Sequence, residues 1–364
     1  MSEPPIALLR AVLLALASSC AACSSVTLVD ETAVAPYADL VRRDAALDSV
    51  EYDLVDPTDR FVRFHFRDVR SANAAAAERP VIVLLNGVFS DGATWRFDTA
   101  LLAEDFDVLA LDLPGTGRSP QGDPDLASPE AYGLAWTADR TWRALARWQE
   151  LQPRPRALFL AGHSVGGAVV IRMVGHPSVR ERWSGELGRV VGIGLLATPD
   201  VATAKWSDTL VELTNLSDAE VGLGDALGVL SARVAEGIAK NVARPEAAFA
   251  LEETRITRAL LDRDRRRASQ LLLRRIRPVD EDDVPDWPAA RRLAEDHGRV
   301  DVPALVLWGR DDSTLPLADG EKLARELPRG ELVVVDRADH SLHQESPRET
   351  VLALRTFVLG LAGY

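Results

Sequence analysis

From residue 80 onward the chain alternates between short apolar runs and longer stretches whose apolar positions fall at helical spacing. Val81-Ile82-Val83-Leu84-Leu85 is continuous, the pattern of a strand covered on both faces. A helical stretch is expected over 95–103, a strand over 107–111, and a long helix over 129–151 with Trp136, Leu145 and Trp148 on its apolar face. A strand over 157–161, a helix over 165–175 and a strand over 190–197 follow. Upstream, 50–55 and 61–69 read as strands joined by the turn Asp56-Pro57-Thr58-Asp59, and Phe61, Phe64 and Phe66 make the second half buried. Strands alternating with helices predict an α/β fold: a mostly parallel central sheet flanked by helices.

The alternation stops at Thr198-Pro199. Residues 200–299 carry helical patterns without a convincing strand, and the sheet pattern returns after Pro303 with a strand over 304–308. A helix over 317–326, a strand over 332–335 and a last helix from Pro347 complete it. The expected organisation is a leader (1–23), an extension lying over the core (24–49), the first part of the core (50–199), an inserted helical cap (200–299) and the second part of the core (300–364).

Charge narrows the function. Against 42 Lys and Arg stand 55 Asp and Glu, a formal charge of −13, which argues against nucleic acid as a partner. The cluster Arg263, Arg265, Arg266, Arg267, Arg274, Arg275 and Arg277 is diluted by Asp262 and Asp264 and followed at once by Asp280, Glu281, Asp282 and Asp283. A solvated helix face is its expected role. The sequence carries no signal for an oligomeric state.

The two cysteines, Cys20 and Cys23, both lie in the leader, so the rest of the chain holds no thiol nucleophile and no cysteine-based metal site. Arg10, the apolar run 11–17 and the small residues after it follow the order of a secretory signal, too short to span a bilayer comfortably. Ala17-Ser18-Ser19-Cys20 resembles a bacterial lipobox, which implies lipidation of Cys20, with Cys23 as second candidate. The expectation is export to the cell envelope, with membrane attachment through a lipidated cysteine.

The chemistry centres on Gly162-His163-Ser164-Val165-Gly166, directly after an apolar strand and directly before a helix. In that context G-x-S-x-G puts the Ser164 oxygen at a tight corner above the C-terminal edge of the sheet. The backbone N–H of Val165, at the helix start, then points to where an oxyanion would form. A Ser hydroxyl needs a base, almost always His. Of His65, His163, His176, His297, His340 and His343, His340 follows the strand 332–335 on the side where Ser164 must sit, with His343 three residues later. The orienting acid is expected at Asp312, in the loop after 304–308, with Asp311 as fallback and Asp200 as third possibility.

These residues resemble the α/β-hydrolase superfamily, over roughly Val50 to the C-terminus. Asp112-Leu113-Pro114-Gly115-Thr116-Gly117-Arg118-Ser119 is similar to the family's D-x-x-G-x-G-x-S turn, a structural signature. Gly309-x-x-Asp312 and the segment 339–347 are similar to its acid and His motifs, and the insertion lies where the family carries a cap. The resemblance implies that Val88 donates the second oxyanion N–H; Asn86-Gly87 stands where the family commonly has His-Gly. A Ser at the elbow rather than Asp argues against the haloalkane dehalogenase and epoxide hydrolase branches.

Carboxylic ester hydrolysis through an acyl-enzyme is the expected reaction, since it needs only the triad, the oxyanion hole and water, and no cofactor or metal. Acyl transfer, C–C bond hydrolysis and a non-catalytic envelope binding module are the alternatives. A zinc site on His340-x-x-His343-x-Glu345 lacks the helical i, i+4 spacing of a metal-binding pair. The substrate is expected to be a small ester whose apolar acyl or alkyl group packs against the inserted helices.

Overall fold

A computed structural model of the chain describes residues 26–56, 59–126, 128, 130–199, 208–276 and 286–361. The leader, with Cys20 and Cys23, lies outside the described residues, as do Asp200, Arg277 and the acidic run after it.

The described residues form an eight-stranded sheet in the order β1-β2-β4-β3-β5-β6-β7-β8. These strands are β1 Ser49–Asp56, β2 Asp59–Val69, β3 Val81–Leu85, β4 Val108–Leu111, β5 Leu158–His163, β6 Val190–Leu196, β7 Ala304–Gly309 and β8 Gly330–Val335. From β4 to β8 all neighbours are parallel, while β1 and β2 add an antiparallel edge. Alternation of side chains splits the core between the two faces. Val81, Val83 and Leu85 face the helices Leu134–Glu150 and Val165–Gly175, whereas Ile82 and Leu84 face Arg96–Leu102 and Pro347–Gly360. All five side chains of β3 are buried.

Two differences from the sequence reading have local causes. The helix expected from 129 starts at Leu134, because Tyr132 adopts a positive φ of 59° and breaks the helical path. The extension includes a helix, Ala35–Ala45, whose Tyr37, Ala38 and Leu40 are buried on the core.

Strand order decides where a ligand can bind. The chain leaves β3 for β4 on one side and then returns to place β5 on the other. The loops after β3 and β5 therefore diverge and leave a crevice at the C-terminal edge of the sheet. Between β6 and β7 run the helices Asp208–Asn215, Asp218–Ala226, Val229–Lys240, Ala250–Leu261, Arg263–Ile276 and Trp287–Ala294. Arg263 and Arg267 pair with Asp125, Arg266 with Asp218 and Arg265 with Asp262. Neighbouring carboxylates thus answer these four cations, and two of the pairs tie the insertion to the loop after β4. Among the described residues no helix is long and apolar enough to cross a membrane.

Candidate active site

Ser164 sits between the end of β5 and the start of the helix Val165–Gly175, with φ 53° and ψ −123°. A non-glycine residue held there is strained, and such strain persists only where the surroundings over-determine it. Here the surroundings are backbone. A Cβ on Gly162 would lie 2.3 Å from the carbonyl carbon of Gly166, and one on Gly166 would lie 2.6 Å from the Asn86 and Leu85 oxygens. Only glycine admits this approach, so the corner is as tight as the motif requires.

The loop after β7 carries Asp312, whose side chain is buried. Its Oδ1 accepts from the backbone N–H groups of Thr314 (2.9 Å) and Leu315 (2.8 Å). Its Oδ2 lies 3.1 Å from His340 Nδ1, which donates to it. The neighbouring Asp311 is exposed. His340 follows β8, and its backbone N–H donates to Asp339 Oδ1 at 2.6 Å. Burial disfavours the imidazolium of His340, but the Asp312 carboxylate, with Asp339 and Glu345 behind it, outweighs burial and raises its pKa above 6.5. His340 and Ser164 line one cavity of about 190 Å³, together with Val88 and Val165. Asp312 and His340 thus meet at the C-terminal rim of the sheet, and His340 shares one cavity with Ser164, from segments far apart in the chain.

The other histidines nearby are occupied elsewhere. His163 Nε2 donates to the main-chain oxygen of His340 at 3.0 Å. Burial, and then the neighbouring His340, push the His163 pKa down to about 3. His163 is therefore a neutral Nε2–H tautomer, with no like charge beside the His340 ring 5.0 Å away. His343 is fully buried against Trp95, with Nε2 3.0 Å from the Thr94 hydroxyl, and burial holds its pKa well below 6.5. Among the described residues no group of three or more His, Cys, Asp or Glu is placed to hold a metal ion.

Asn86 pins the loop after β3. Fully buried, its Nδ2 donates to Gly87 O, Ser90 O and Thr116 Oγ1, and its Oδ1 accepts from Leu113 N at 2.9 Å. It thereby ties the 86–90 loop, which carries Val88, to the turn after β4. Asp112 organises that turn by accepting from Gly92 N and Arg118 N, both at 2.6 Å. Burial and then Asp91 raise the Asp112 pKa to about 6. This side chain faces backbone donors rather than the cavity, as expected of a structural signature.

Sequence reasoning missed three contributors. Asn241, Gln344 and Glu252 line both the cavity at Ser164 and a larger, adjoining one of about 660 Å³ under the inserted helices. The larger cavity draws its apolar wall from Leu213, Leu216, Leu230, Val234, Ile238 and Ile256. Asn241 and Glu252 lie on inserted segments with no chemical motif, so only their fold position marks them.

Residues 82–354 match the Alpha/beta hydrolase family. RutD of Pseudomonas syringae, a candidate carbamate hydrolase, is 28% identical over 283 residues, covering 78% of this chain and 95% of that protein. The pimeloyl-[acyl-carrier protein] methyl ester esterase of Aeromonas hydrophila is 24% identical over 296 residues, covering 77% of this chain and 95% of that protein. The crystal structure of RhEst1, an esterase from Rhodococcus sp., superposes with a TM-score of 0.61 over 86% of this chain and 99% of that one. At 19% identity that likeness shows the fold alone. With the match covering β3 through β8, the chain belongs to the alpha/beta hydrolase family.

Proposed function

We propose that the chain is a serine hydrolase that cleaves carboxylic esters through an acyl-enzyme. The observation that carries this reading is the His340–Asp312 pair bordering a cavity that Ser164 also lines. With Nδ1–H committed to Asp312, the neutral imidazole of His340 keeps the Nε2 lone pair for a proton.

Ser164 Oγ attacks the carbonyl carbon of the ester while His340 Nε2 takes the hydroxyl proton. The tetrahedral oxyanion is met by the backbone N–H groups of Val88 and Val165. As the C–O bond to the leaving alcohol breaks, His340 returns the proton to that oxygen and the alcohol departs. Water then attacks the acyl-Ser164 ester, again giving its proton to His340. Collapse of the second intermediate returns the proton to Ser164 Oγ and frees the acid. Asp312 stays ionised throughout, orienting the ring and stabilising its cation.

The inserted helices act as a cap, and the apolar chain of the substrate lies in the larger cavity, whose volume falls in the range of small-molecule sites. The leader directs export, and Cys20 carries a lipid anchor. The test is a panel of p-nitrophenyl esters of graded chain length, run beside Ser164→Ala and a fluorophosphonate label. Turnover and labelling that both vanish in Ser164→Ala support the reading. A folded wild type that neither turns over esters nor takes the label overturns it.

A further inference from the structure

Glu345 ends the short helix Leu342–Glu345 that follows His340, and it is fully buried. Its Oε1 accepts from the backbone N–H of Asp339 at 3.0 Å. Its Oε2 accepts from the N–H groups of Ala243 at 2.8 Å and Arg244 at 3.3 Å. One carboxylate therefore joins the histidine loop to the inserted segment just past the helix Val229–Lys240. A second tie runs in parallel: the single hydroxyl proton of Ser313, next to Asp312, is shared between Asn241 Oδ1 (3.1 Å) and Asp339 Oδ1 (3.0 Å). A third runs from Arg244 Nε to Arg337 O at 3.0 Å. All three ties join residues 241–244 to the two loops that hold His340 and Asp312.

The mechanism above uses none of these groups, yet keeping a carboxylate here is costly. Burial is the largest influence on Glu345; the three amides favour its charge, Asp339 opposes it, and its pKa is raised to about 7. A group so costly to bury is expected to do something an apolar side chain could not. We infer that Glu345 is a positioning residue that couples the seating of the inserted helices over the larger cavity to the placement of the His340 imidazole. The kinetic consequences rest on the ester-hydrolase reading, whereas the coupling itself does not.

The test is Glu345→Gln, which keeps size but loses the charge that three amides share. Because the cap seat and the imidazole move together, kcat for a short p-nitrophenyl ester should fall about tenfold and KM for a long-chain ester should rise about tenfold. Leu227→Ala, at an exposed position in the insertion that lines neither cavity, is the control and should leave kcat and KM for both esters within about twofold of wild type. A loss of thermal stability in Glu345→Gln with unchanged kcat and KM for both esters would overturn the inference, since a merely structural residue behaves that way.

Amide hydrogen exchange of the wild type gives a readout independent of activity and of folding in any variant. The N–H groups of Asp339, Ala243 and Arg244 should open as one unit, with protection factors within about tenfold of each other. Protection at 243 and 244 lower than at 339 by more than about a hundredfold would sink the coupling. If esters are not turned over but the three amides exchange together, the hydrolase reading fails and the coupling stands.

Discussion

Replacing Asp312 by Asn tests the site more sharply than any other single change. The carboxylate has two unlike neighbourhoods: Oδ1 faces the N–H groups of Thr314 and Leu315, and Oδ2 faces His340 Nδ1. An amide placed with its oxygen toward the two backbone donors keeps both of those bonds. Its NH₂ group must then point at His340 Nδ1, which can meet it only as an acceptor. That forces the ring into the Nε2–H tautomer, and Nε2 no longer has a lone pair for the Ser164 hydroxyl proton. The opposite flip sets NH₂ against two N–H groups in a buried site and is worse. The surroundings thus select the inactive tautomer without moving an atom. The same replacement in a serine-protease triad lowers kcat by about 10⁴, equivalent to roughly 5.5 kcal/mol of barrier, and a loss of that order is expected here. The assay is steady-state turnover of a short p-nitrophenyl ester, with the rate of fluorophosphonate labelling measured in parallel and Asp311→Asn as control. The control should match wild type within about twofold, because Asp311 is exposed. A folded Asp312→Asn protein that retains more than about a tenth of wild-type kcat/KM would refute the tautomer argument.

Four further outcomes follow, three from the same geometry and the last from the leader sequence. The His340 pKa is raised, so kcat/KM should climb with pH through a midpoint above 6.5, and a midpoint at or below 6.5 would contradict the Asp312 pairing. By linkage, the stabilisation from that pair is present in full below about pH 6.5 and is lost as pH rises through the higher folded value, which a pH series of denaturant melts should follow. Asn86→Ala removes the partner of Leu113 N and of three further groups, so it should cost about 2 kcal/mol in chemical denaturation and lower kcat by loosening the loop that bears Val88. Cys20→Ala should shift the expressed protein from the detergent phase to the aqueous phase in a phase-partitioning experiment, and unchanged partitioning would count against the lipid anchor.

Part of this molecule is legible in the chain because the relevant forces are local. The unbroken run 81–85 has the length and pattern of a strand buried on both faces, and G-x-S-x-G between such a strand and a helix marks a corner closed by backbone contact. Even the choice of His340 over His343 followed from distance along the loop after β8. The helix Ala35–Ala45 is not legible in the sequence, since its mixed pattern gains meaning only once Tyr37 and Leu40 find the sheet face they cover.

What the amino-acid order determined by itself is the set of strands, the strained serine corner and the residue types able to move a proton. Each of these depends on neighbours a few positions apart. Only the folded chain decided that Asp312 rather than Asp311 turns inward, that His163 holds the His340 carbonyl, and that Glu345 reaches across to Ala243. Those choices depend on burial and on hydrogen-bond partners more than a hundred residues away in some cases, and no periodicity along the chain encodes them.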